Sequence, residues 1–380
     1  MERGACTARP SHPSCRKRQR AVCTMLSSAA RYEPITTRVG DIPPKTNHLA
    51  IQPGPGVNGI WVDPVPGLII GDLKAYAETA SVAPIQIPGY WTHQLTSSIE
   101  VAAPPQAGEK LVYFLHGGGY IQCSAHPGDV TASISRGLLE SIESVHRIFA
   151  IEYRLCSVES STAVNSFPAA LLDALAGYNY LVNVIGFAPL DIIICGDSAG
   201  GNLALALTRY LVENQSSADV NLPAPPAGMI LLSPWSDLSE SNHQPGSSRF
   251  RNDNSDFINV DEGYIATKMA FLGPHGLEAS ETNRYISPAC IYPSFKIDFI
   301  GFPRTFIIAG GAEVLLDQIK TLYQRMVKDL GSGNGVGENG GKVRYLEAPD
   351  AIHDFIAFEW HEPERSSALK EIADWVATYS

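Results

Sequence analysis

The chain has 380 residues, 44% hydrophobic and 18% charged, which supplies a sizeable core and excludes disorder over most of its length. Seven cysteines are too few for a disulfide-held miniature scaffold. The net charge of −11 is unevenly placed: Arg3, Arg9, Arg16, Lys17, Arg18, Arg20 and Arg31 face only Glu2 within residues 1–31, so the remainder is more acidic still. Such a body lacks the basic surface that nucleic-acid binding needs.

Residues 1–31 read as a disordered basic leader outside the fold. The best apolar run there, Ala21 to Leu26, is too short for the core of a secretory signal. The Arg- and Ser-rich composition leaves a mitochondrial transit peptide as an alternative, and Met25 offers another start. Cys6, Cys15 and Cys23 are irregularly spaced and have no His pair beside them, which argues against a zinc site. No stretch is long and apolar enough for a transmembrane span. Cys123, Cys156, Cys195 and Cys290 read as reduced thiols, so the expected compartment is the cytoplasm.

Residues 32–108 are rich in Pro and Gly and predict a mostly irregular segment with one helix around Leu68–Thr79. Six short apolar runs then read as buried strands: Leu111–Leu115, Arg147–Ile151, Asp191–Cys195, Met229–Ser233, Thr305–Ala309 and Lys342–Leu346. Helical spacing falls between them, over Val130–Ile142, Phe167–Val184, Leu203–Val212, Asp261–Leu272 and Gln318–Leu330, with a closing helix over Pro363–Thr378. Strands apolar on both faces and alternating with helices imply an α/β fold whose mostly parallel sheet is covered on both sides. Active sites of such sheets lie at the carboxyl ends of the strands.

Four pieces of chemistry fall at those ends. Gly196-Asp197-Ser198-Ala199-Gly200 matches G-x-S-x-G between a strand and a helix, so Ser198 is the candidate nucleophile. His116-Gly117-Gly118-Gly119 follows the first strand, where consecutive glycines let amides approach a tetrahedral oxyanion. Gly117, Gly118 and Ala199 are the expected donors, with His116, Gly119 and Asp197 as loop support. His353 follows the last strand and is the candidate general base, whereas His48, His93, His126, His243, His275 and His361 have no comparable placement. In the order Ser, acid, His, the acid falls after the fifth strand. Glu313 is favoured there and Asp317 is the alternative.

These motifs resemble the hormone-sensitive-lipase-like branch of the α/β-hydrolases, most specifically over residues 111–202. Glu152-Tyr153-Arg154-Leu155, Phe167-Pro168-Ala169 and Ser233-Pro234-Trp235 are similar phrases. Glu313-Val314-Leu315-Leu316-Asp317 fits that family's Asp-x-Leu-x-Asp phrase with Glu in first place. The resemblance implies an α/β-hydrolase fold over residues 32–380 as a single catalytic domain. It also implies a cap over the site, built from 32–108 and an insertion over 239–300.

The expected activity is serine carboxylic-ester hydrolysis of a small-molecule ester, with short acyl groups such as acetyl suggested by the resemblance alone. A ligand receptor on the same fold, or a lyase or acyl transferase using the same triad, are the alternatives. Gly335–Gly340 formally matches G-x-G-x-x-G but follows a helix and precedes a strand, the reverse of a dinucleotide site. His361-Glu362 lacks the second His of a metalloprotease helix. No metal and no cofactor are therefore expected.

Overall fold

The computed structural model describes residues 49–159, 162–258, 262–337 and 340–378. Residues 1–31, with their cysteines and basic cluster, lie outside the described residues. An eight-stranded sheet organises the chain, in the spatial order β1-β2-β4-β3-β7-β8-β9-β10. β3 (Lys110–Leu115), β4 (Val145–Ile151), β7 (Ile192–Asp197), β8 (Gly228–Leu232), β9 (Arg304–Gly310) and β10 (Val343–Ala348) run parallel. They correspond to the six apolar runs.

Alternation within a strand sorts the core into two layers. Leu111, Tyr113 and Leu115 of β3 face one side, packing with α3 (Ala169–Asn179), α4 (Ala199–Asn214) and α8 (Leu316–Leu330). Val112 and Phe114 face the other, against α2 (Ala132–Ser141) and α9 (Glu364–Ala377) through Ile134, Leu138, Ile372 and Trp375. Covering helices on both faces explain why these strands read as continuous apolar runs. The helix expected over Phe167–Val184 is α-helical to Asn179 and widens to a π-helical turn over Tyr180–Ile185 before Gly186 ends it.

Residues 32–48 lie outside the described residues, and the rest of the segment to residue 108 is mostly irregular but adds two strands that the sequence does not announce. β1 (Asn58–Val62) and β2 (Ile87–His93) extend the sheet as antiparallel strands, with β2 paired to β4 and β1 at the edge. α1 (Gly71–Thr79) lies between them in sequence. Pro88 and Gly89 hid β2 because both are depleted in strands. Gly89 is required there: a Cβ would run into the Phe149 ring of β4.

The 239–300 segment carries α5 (Ser248–Arg251), α6 (Glu262–Leu272) and α7 (Ala279–Thr282). β5 (Ser157–Glu159) and β6 (Thr162–Val164) form a small separate hairpin. Phe271 of α6 stacks on Tyr120 at 4.1 Å, so this helix packs on the loop after β3. Tyr76 of α1 meets Phe167, His275 and Tyr285, joining the N-terminal helix to the same region.

Candidate active site

The ends of β3, β7, β9 and β10 deliver the four motifs to one place. At the end of β7 the chain reverses direction through Ser198, whose φ of 49° and ψ of −115° lie in a region that L-residues rarely occupy. Crowding explains the neighbouring glycines, since a Cβ on Gly200 would collide with the Leu115 carbonyl. The turn is held by the end of β8 and the loop after it, where Ser198 N donates to Leu232 O (2.9 Å) and Trp235 N donates to Ser198 O (2.9 Å). The helix that follows aims its N-terminal amides at the serine, a favourable setting for developing negative charge.

The glycine loop after β3 corrects one sequence expectation. Gly117 N donates to Asp197 Oδ1 at 3.0 Å, so that amide is committed to a buried carboxylate rather than open to a ligand. Its role is to tie the glycine loop to the elbow. Among the described residues the amides of Gly118, Gly119 and Ala199 donate to no acceptor. Gly118 and Gly119 both have positive φ, 100° and 61°, which turns their backbone in a way other residues resist. The uncommitted amides of this corner are therefore those of Gly118, Gly119 and Ala199, and the Gly117 amide is not among them. The sequence could not make that choice, because all three glycines are equivalent until Asp197 selects one.

His116 is buried and its Nδ1 lies 2.8 Å from the Gly117 carbonyl. Its ring stacks on Tyr153 at 4.2 Å, and Tyr153 donates its hydroxyl proton to His116 O at 2.7 Å. His116 thus anchors the loop. Tyr153 belongs to the Glu152–Leu155 phrase, as does Arg154, which pairs with buried Asp173 at 2.8 Å.

Glu313 and His353 meet from β9 and β10. His353 Nδ1 donates to Glu313 Oε2 at 2.7 Å, and Gly310 N donates to Glu313 Oε1 at 2.8 Å. Both side chains are buried. Burial pushes the Glu313 carboxyl up to about 7, against the opposing hydrogen bond and charge of His353. Asp317 is elsewhere: its carboxylate accepts from Ser248 N (2.7 Å) and pairs with Arg251 (3.1 Å) at the start of α8. The acid that reaches the imidazole is Glu313.

Two carboxylates escaped the sequence reading. Asp354 Oδ2 lies 3.0 Å from His353 Nε2, the nitrogen on the far side of the ring from Glu313. Burial penalises the imidazolium, but the charges and hydrogen bonds of Asp354 and Glu313 outweigh it and hold the His353 pKa well above its usual value. Among the described residues Ser198 Oγ makes no hydrogen bond. Asp354 takes a left-handed conformation, φ 50°, and its amide donates to Ser233 Oγ at 3.1 Å. Its place beside His353 in sequence was visible, but the direction of its side chain was not. Asp256, buried, accepts from His353 N at 3.2 Å and from Val314 N at 2.8 Å. It sits in a polar loop with no sequence signal.

Comparison with known proteins follows the same lines. A family described by the alpha/beta hydrolase fold matches residues 112–357. Esterase LipU of Mycobacterium tuberculosis is 27% identical over 277 residues, covering 72% of this chain and 79% of its own. An esterase of Acinetobacter venetianus is 26% identical over 302 residues, covering 79% and 83%. Among solved structures, an esterase/lipase from an uncultured bacterium superposes with a TM-score of 0.60 at 23% identity, covering 97% of this chain and 99% of that one. A hormone-sensitive lipase from a metagenome library gives 0.60 at 24% identity, covering 95% and 98%. No helix among the described residues is long and apolar enough to cross a membrane. With its family match spanning every strand-end motif from the glycine loop to His353, this chain belongs to the α/β-hydrolase-fold family.

Proposed function

We propose that the protein is a serine carboxylic-ester hydrolase in which Ser198 is the nucleophile, His353 the base and Glu313 the acid. The observation that carries this reading is the buried 2.7 Å Glu313–His353 contact, assembled beside the strained Ser198 turn and three uncommitted amides. Its relatives named esterases support the same reading.

Neutral His353 takes the Ser198 proton at Nε2 as Oγ attacks the ester carbonyl. The carbonyl oxygen gains charge and is met by the amides of Gly118, Gly119 and Ala199, fixed in place before reaction. Glu313 holds the ring through Nδ1 and stabilises the imidazolium. Collapse expels the alcohol, which takes the proton from His353, and a water activated at the same nitrogen clears the acyl-enzyme. Asp354 must release Nε2 for either half-reaction. Small-molecule esters, with short acyl groups such as acetyl, are the proposed substrates. The insertion over 239–300 and α1 act as the cap that selects them, in a single catalytic domain.

The test is Ser198→Ala with p-nitrophenyl acetate, where turnover falls by roughly 10³ or more. Near-normal turnover in that variant sinks the mechanism. A fluorophosphonate labels the wild-type chain and not the variant, which separates an esterase from a non-catalytic ligand receptor.

A further inference from the structure

The loop that carries Glu313 makes few of its hydrogen bonds within its own strand–helix unit. Between β9 and α8 the amides of Gly311 and Ala312 donate to the carbonyls of Ala348 and Ala351, at and just after the end of β10, and further peptide groups are met by side chains of residues 248–256. Asn252 Nδ2 donates to Glu313 O at 2.8 Å, and Ser255 Oγ donates to Ala312 O at 2.8 Å. Ser248 Oγ donates to Val314 O at 2.8 Å and accepts from Asp317 N at 3.0 Å. The acidic residue first weighed as an alternative triad member completes this arrangement, because Asp317 accepts from Ser248 N in return.

Asp256 goes further. One carboxylate oxygen accepts from Val314 N, the residue after Glu313, at 2.8 Å. The other accepts from His353 N at 3.2 Å and from Phe257 N at 2.9 Å. A single buried side chain of the insertion therefore grips the main chain of the acid loop and of the base loop at once. The neighbouring Phe257 ring also packs on the imidazole, with centroids 5.8 Å apart. Such a clamp matters more for Glu than for Asp as the acid, since the additional methylene adds a torsion between main chain and carboxylate. The main chain on either side must be held if that longer arm is to meet Nδ1 at a fixed distance. Misplacement by about 1 Å is enough to cost roughly 10²-fold in rate.

We propose that Asp256 is a positioning residue for the Glu313–His353 pair, and that the Ser248–Asp256 segment is the splint through which the insertion sets the alignment of the catalytic acid. This deepens the esterase reading and rests on it. Asp256→Asn leaves one oxygen and puts an NH2 against a backbone N–H on the other side, so one of the two loops loses its anchor while side-chain size is kept.

The experiment is a double-mutant cycle in the full chain, pairing Asp256→Asn with Glu313→Gln and measuring kcat and KM for p-nitrophenyl acetate. Asp256→Asn alone lowers kcat by roughly 10- to 100-fold, with KM within about twofold of wild type. In the Glu313→Gln background, where the pair is already broken, the same change costs less than about threefold. An equal loss in both backgrounds, or no loss in kcat, overturns the proposal. Should Asp256→Asn not fold, Asn252→Ala tests the same splint by removing the donor to Glu313 O. It is expected to lower kcat and to lose that effect in the Glu313→Gln background, and additivity there overturns the proposal equally. Failure of the underlying reading has a different signature, because Glu313→Gln itself would then turn over like wild type.

Discussion

Replacing Asp354 by Asn shifts the acidic limb of kcat/KM to lower pH. His353 Nε2 has to be unprotonated to accept the Ser198 proton, and Asp354 Oδ2 at 3.0 Å favours the protonated ring. The acidic groups around the imidazole are Glu313 on Nδ1, Asp354 on Nε2, Asp256 on its backbone amide, and Asp197, whose buried carboxyl feels the His353 charge. Burial penalises the charged ring, but Asp354 and Glu313 outweigh it and hold the imidazole well above its usual pKa. The sign follows directly: a raised pKa means that the base form, and with it activity, is lost as pH falls through a higher value than for a free histidine.

A hydrogen bond to a charged group is worth about 1.5–3 kcal/mol, and about 1.4 kcal/mol corresponds to one pH unit. The Asp354 side chain keeps 12% exposure, so some solvent screening favours the lower end. The expected movement is therefore about one to two pH units toward acid. Asn tolerates the left-handed conformation of this position, so the backbone need not change. The assay is kcat/KM for a small ester across acid and neutral pH, in parallel with the pH dependence of fluorophosphonate labelling. Asp354→Gly serves as a second variant that also removes the competing hydrogen bond. An acidic limb that stays in place in both variants refutes the argument that Asp354 controls the charge on His353.

Further outcomes separate the remaining roles. Glu313→Gln lowers kcat by roughly 10²–10⁴, whereas Asp317→Asn costs about tenfold or less, since Asp317 bonds Ser248 and Arg251 rather than the imidazole; the reverse order of losses refutes the assignment of the acid. Arg154→Ala strands Asp173 in the core and destabilises the fold by about 3–5 kcal/mol, read as a lower urea midpoint. An unchanged midpoint would show that Asp173 finds another partner or water. Gly117→Ala places a Cβ against the Asp197 carboxylate. It is expected to lower kcat more than KM by displacing the glycine loop, and a pure KM effect would count against that loop's part in the transition state.

Much of the site was legible because its residues sit at the ends of apolar runs. Ser198, His353 and Glu313 all occur within a few residues of a strand that local composition identifies, and a parallel sheet brings such ends together regardless of the intervening sequence. The same reasoning failed for β2, where Pro88 and Gly89 look like breakers until Phe149 is seen filling the space a side chain would take. It failed for Gly117 as well, since chemical identity cannot rank three consecutive glycines. It was silent on Asp256, whose partners lie 58 and 97 positions away along the chain.

Residue order and composition alone determined the α/β architecture, and pointed to Ser198 and His353 as the candidate nucleophile and base and to the stretch after the fifth strand for the acid. Those depend on local patterning and on topology that alternating strands and helices impose. Only the tertiary structure put Glu313 rather than Asp317 against the imidazole, committed the Gly117 amide to Asp197 while leaving those of Gly118, Gly119 and Ala199 uncommitted, and placed Asp354 on the imidazole. Each of these turns on where a side chain or an amide points within a few ångströms, and that is set by contacts between segments far apart in the chain.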